Sequence, residues 1–205
     1  MKRFLTILTL WGLLLSGHTC PANAAPHQLG GFTLDTDISG YKQQVEMKSS
    51  LPIRYAENIR EVAVRETNEF KSGLIAYGTC AVPNKIVRIK LKYADDSKAF
   101  FDMLLARYEA KFGKAAEWRG DPFHIVITWK WSFIDSKGNH ISLILQHNKL
   151  DTDEKIGNSV KLTLIDAIDK DRQCYEKTHP VSTVGNLQSS SAQNSQPDWD
   201  KLLPR

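Results

Sequence analysis

The chain is poor in cysteine, with Cys20, Cys80 and Cys174 as its three, and it carries no Asn-x-Ser/Thr acceptor for N-glycosylation. It has no Gly-x-Ser-x-Gly elbow to hold out a nucleophilic serine. It has no glycine-rich loop to cradle a phosphate either. Those absences exclude the elbow hydrolases and the P-loop nucleotide enzymes. Histidines stand at His27, His124, His140, His147 and His179 beyond the first segment, without the close spacing of a zinc site. Asp151, Asp153 and Glu154 crowd a polar connection, yet the spaced ligands and glycine of an EF-hand loop are missing. No metal, no cofactor and no catalytic residue is expected, and the sequence leans away from an enzyme.

Long hydrophobic runs are also absent after the start of the chain. At the start, Met1, Lys2 and Arg3 supply a basic segment, Phe4 to Leu15 a short apolar one, and Ala22-Asn23-Ala24 a small-x-small pattern. This is the layout of a secretory signal peptide cleaved after Ala24. An apolar run of about a dozen residues is well short of the roughly 20 needed to cross a bilayer as a helix. Residues before Cys20 are His18 and Thr19, not the small residues of a lipidation site. Removing residues 1–24 leaves 25 basic and 23 acidic residues, so a chain of net charge +4 becomes a nearly neutral one. Nucleic acid is therefore not an expected partner. The predicted location is exported, in a bacterial periplasm or secreted, and the missing sequons fit the periplasm better.

Cleavage turns three cysteines into two. In an oxidising compartment Cys80 and Cys174 are expected to form a disulfide, the alternative being two separately buried thiols. Closing a loop of about 95 residues contributes about 4 kcal/mol in the chain-entropy model.

From about Pro180 the chain turns to Ser, Gln, Asn and Thr, which reads as a disordered tail over 180–205. Between 25 and 179 the hydrophobic period switches repeatedly between two and 3.6. That pattern predicts a single α+β domain: an antiparallel meandering sheet packed on one or two helices. A short helix is expected over Asp35 to Met47. The clearest helix starts at Asp95 or Asp96, carries Phe100, Phe101, Leu104, Leu105, Tyr108 and Phe112 as its stripe, and stops at Gly113. A last helix is expected from Asp166 to about Lys177. Strands are expected at 51–55, 59–67, 73–80, 85–93, 123–134, 140–148 and 159–165.

Around Ser136-Lys137-Gly138 the alternation fixes a register as well as a hairpin. A three-residue loop with Gly138 in the left-handed conformation sets Asp135 against Asn139 and Phe133 against Ile141. Ile127, Trp129, Trp131 and Phe133 then share a core face with Ile141, Leu143, Leu145 and His147. His124, Lys130, Ser132, His140, Ser142 and Gln146 take a wet face, and a slip of one residue would mix the two sets. His124 and His140 fall at opposite ends of the hairpin and cannot share an ion. Strand order alone does not bring Cys80 to His140 or His147.

Helix plus strands is expected twice, over about 31–94 and 95–179, as a tandem repeat of two similar lobes. In this order of elements, and in the run from Gly31 to Ile38, the chain resembles the small helix-plus-meander modules of bacterial envelope proteins. Outer-membrane assembly accessory lipoproteins and the tandem-repeat β-lactamase inhibitory protein are examples. No diagnostic motif is matched, and no residue role is carried over.

Function must then lie in surfaces. Arg88, Lys90 and Lys92 form an outward basic stripe, extended by Arg65 or Lys130 on neighbouring strands, suited to an anionic partner. A solvated sheet face that discourages edge pairing has the same composition. Trp118, Trp129 and Trp131 suit a pocket between the sheet and the Asp95 helix, or ordinary core packing. The sequence points first to a non-catalytic binding or accessory protein that uses a sheet face on an exported protein or envelope component. The alternative is a small-ligand carrier or hydrolase with an aromatic-lined pocket.

Overall fold

Alternating strands and two amphipathic helices assemble as an α+β fold around one antiparallel sheet. The computed structural model describes residues 24–123, 125–149 and 157–180. Residues 1–23, where the export signal is expected, the tail beyond Pro180, His124 and the Asp151 to Glu154 connection lie outside them.

A small hairpin, β1 (Gln28–Leu29) and β2 (Phe32–Thr33), opens the fold. Then come β3 (Leu51–Ile53), β4 (Ala56–Val64), β5 (Phe70–Gly78) and β6 (Ile86–Tyr93). Helix α1 (Lys98–Phe112) follows, then β7 (Glu117–Trp118), β8 (Val126–Ile134), β9 (His140–Asn148) and β10 (Asn158–Leu164), and finally α2 (Ile165–Thr178). The last eight strands form one sheet in the order β3-β4-β5-β6-β10-β9-β8-β7. Each half of the chain contributes four consecutive strands and then a helix. The halves meet where β6 pairs antiparallel with β10.

The hairpin register is the expected one: Phe133 opposes Ile141, Ile127 opposes His147, and Gly138 has φ 81°. The helix expected over Asp35 to Met47 is not formed. That stretch holds only two 3₁₀ turns, at Ile38–Tyr41 and Met47–Ser49. Its backbone is engaged elsewhere: Asp35 N–H donates to the Ile86 carbonyl, Ile86 N–H to Thr36, and Glu46 N–H to Ala63. Asp35 itself has φ 62°, which no α-helix accommodates. Extended pairing along the sheet outcompetes the helical period, while Ile38 and Val45 still reach the core.

Helix α1 packs on the face that carries Trp131 and His147, and α2 lies against one end of the other face, where Tyr175 meets Glu57 and Asp171 stands beside Gly78. Ser97, one residue later than expected, caps α1 by accepting from Phe100 N–H. Phe101 is buried beneath α1 and lies beside the His147 ring. Tyr108 packs on Trp131, whose indole N–H donates to the Gly113 carbonyl at 2.8 Å. Asn158, fully buried, donates to the Asp95 and Ser97 carbonyls. Its amide oxygen faces His147 Nδ1 at 2.7 Å. With both amide hydrogens so used, Asn158 accepts and His147 Nδ1 carries the proton.

A buried carboxylate anchors the second helix. Asp171, with no exposed surface, accepts from the backbone N–H groups of Thr79, Cys80 and Val82 and from the Asn58 amide. Beside it the Cys80–Cys174 disulfide is formed, spanning 94 residues of sequence. The expected pairing is thus present, and it ties α2 to the loop between β5 and β6.

Candidate binding face

The two faces of the sheet differ sharply in what covers them. Odd-numbered residues of β8 and β9 and even-numbered residues of β10 lie on the face that α1 covers. The opposite parity faces away from α1, and α2 covers only one end of it, at Glu57, Gly78 and His140.

Arg88, Lys90 and Lys92 of β6 project from that open face, where they oppose Thr163, Lys161 and Ser159 of β10. Lys90 therefore stands directly across from Lys161. The same row continues through Ile144 to Lys130 and Glu117 on one side, and through Leu74 and Ala63 on the other. Small residues between the long ones, among them Ser142, Ser159 and Thr128, are buried. Long lysine side chains on such a face can lay their stems over small neighbours while the ammonium reaches toward water.

Acidic partners are few and lie to the sides. Glu61 sits 3.7 Å from Arg88, and Glu117 meets both Lys130 at 3.3 Å and Arg119 at 2.6 Å. Among the described residues no carboxylate lies within ion-pair distance of Lys90 or Lys161. Burial, reinforced by Arg88, Lys90 and Arg119, holds the Lys161 amine below the usual lysine range. The Arg88 Nε–H is buried without a hydrogen-bond acceptor. A cluster of cations thus occupies the middle of the open face with its counter-charges at the edges.

Of the sequence-predicted residues, the sheet brings Arg88, Lys90, Lys92 and Lys130 onto one face. Arg65 lies beyond the end of β4, beside Glu46. Lys161 and Arg119 belong to the cluster and were missed. For Lys161 the signal was the same alternation that turned Val160, Leu162 and Leu164 inward.

The tryptophans are placed on the other face. Trp131 is 2% exposed, and Trp118 pairs with Trp129 across β7 and β8 at the sheet margin. A cavity of about 210 Å³ does lie between α1 and the sheet, but its walls do not include these three residues. Cys80 and Cys174 serve as a staple. No group of His, Cys, Asp or Glu among the described residues is arranged to hold a metal ion. No helix among them is long and apolar enough to cross a membrane.

No protein-family model, no curated protein and no solved structure matches this chain.

Proposed function

We propose that this is an exported binding protein, periplasmic in a bacterium, which docks an anionic protein or envelope component on its open sheet face. The observation that carries this reading is the Lys90–Lys161 cross-strand pair, flanked by Arg88 and Lys130 and without an acid of its own. Like charges directly opposite one another on a sheet are destabilising. An arrangement that keeps them on the face α1 leaves bare has a reason if an anionic surface settles there and supplies the missing charge. The disulfide is compatible with export.

The test compares the protein with a Lys90→Glu, Lys161→Glu variant of unchanged melting temperature. Both are immobilised and exposed to envelope extract, to envelope polysaccharide and to anionic vesicles at two salt concentrations. Retention of one component by the parent, weakened by salt and abolished in the variant, supports the reading. Equal retention by both, or none by either, overturns it.

A further inference from the structure

The cavity under α1 has a chemistry of its own, on the opposite face of the sheet from the cation cluster. Its floor is apolar, built from Leu143 and Leu162 of the sheet with Leu29 of β1, and Tyr108 and Phe112 of α1 form its wall. Its polar lining is Gln28, Arg107 and Lys111. Arg107 and Lys111 are exposed, stand one turn apart on α1, and have no acidic partner among the described residues.

Like charges at this spacing destabilise a helix by roughly 0.2–0.5 kcal/mol when nothing compensates them. The helix C-terminus favours the cation at Lys111, which lies in the last turn. Arg107 lies a full turn earlier and is not explained that way. Two cations over an apolar floor, with no carboxylate in the lining, form an amphipathic receptacle of one polarity. A volume of about 210 Å³ corresponds to about seven waters. It is below the range of roughly 300–1,000 Å³ usual for drug-sized ligands.

We infer that this cavity is a binding site for a small apolar molecule with a single anionic head group, the head held by Arg107 and Lys111 and the tail laid on Leu143 and Leu162. The guanidinium offers a planar fork and the ammonium a point charge, a pair that suits a carboxylate or a phosphate monoester. The apolar part stays short because the floor closes on the sheet.

The site is tested by calorimetric titration of the purified protein with hexanoate, octanoate and hexyl phosphate, and with hexanol and octanol as uncharged counterparts. The same titrations are run on an Arg107→Ala, Lys111→Ala variant, whose changes fall on exposed helix positions. Indole emission gives a second readout, since Tyr108 lines the cavity and packs on Trp131. The expected result is saturable binding of the anionic probes, at least tenfold weaker for the alcohols and at least tenfold weaker in the variant. Preference for the carboxylates or for the phosphate identifies the head group. Absence of saturable binding by any anionic probe overturns the site, as does equal affinity for acid and alcohol, or an unchanged affinity in the variant. The cation cluster on the open face serves as internal control: Lys90→Glu, Lys161→Glu leaves these titrations unaltered, so the two sites fail or stand separately.

Discussion

Replacing Lys161 by methionine should stabilise the protein, an unusual direction for a substitution on a central strand. The ammonium of Lys161 stands across from that of Lys90. Two unit charges about 7 Å apart repel by about 0.6 kcal/mol in water and about 2.4 kcal/mol at an effective dielectric of 20. Both groups reach solvent, so the lower part of that range applies, and like-charged cross-strand pairs fall at roughly 0.2–1 kcal/mol. Methionine keeps most of the apolar stem. A gain of about 0.5–1 kcal/mol is expected at low salt, which raises the melting temperature of a domain of this size by about 1–4 °C. The pH dependence has a definite sign. A lysine held below its unfolded pKa of 10.5 is penalised while charged. That penalty is fully present at neutral pH and fades as pH rises through the lowered value, so the advantage of the variant shrinks toward pH ~10. Thermal denaturation at about 0.02 M and 1 M salt checks the electrostatic origin, since screening shortens the Debye length to about 3 Å at 1 M. A variant less stable than the parent, or one whose gain ignores both salt and pH, would refute the reasoning.

Three other outcomes follow from the core. Cys80→Ser with Cys174→Ser opens a loop closed across 94 residues; it should lose about 4 kcal/mol, read as a lower denaturant midpoint. Intact mass with and without reductant should differ by two protons in the parent and not in the variant. Asp171→Ala strands the N–H groups of Thr79, Cys80 and Val82; a loss of about 3 kcal/mol or more is expected by urea unfolding, with hydrogen exchange accelerated in that loop. Asn158→Ala removes the link from His147 to the start of α1; it should cost about 2 kcal/mol, and exchange should rise at the first turn of that helix before the rest.

Much of the sheet was legible because period-two alternation is strong wherever one face is buried. β6, β8, β9 and β10 fall within a few residues of their expected bounds, and the Gly138 turn settled a register. The failures have local causes. Residues 35–47 carry apolar side chains at helical spacing, but hydrogen bonds to Ile86 and Ala63 hold that backbone in place, and tertiary pairing overrides propensity. β1, β2 and β7 are two residues each, too short to show any period. For the binding face, the outward stripe on β6 could be read from its own strand. That Lys161 stands against it follows only from the meeting of β6 and β10, a pairing between strands 65 residues or more apart that no local pattern encodes. The α1 cavity was hidden for a similar reason, since Leu29, Phe112 and Leu162 come from three separate parts of the chain.

The junction of β6 with β10 also bears on how the molecule is made. Helix α1 follows the first four strands yet packs on β9, whereas α2 follows the last four and packs on β4, β5 and β6 as well as β9. Neither half closes its core from its own helix, and the final helix brings both Asp171 and Cys174 to a loop completed some ninety residues earlier. Loop closure over such distances is slow. A chain emerging in order from its N-terminus thus stays loose until its last helix arrives. In the exported setting proposed above, where a chain is threaded through a membrane before it folds, that delay is an advantage conferred by topology alone.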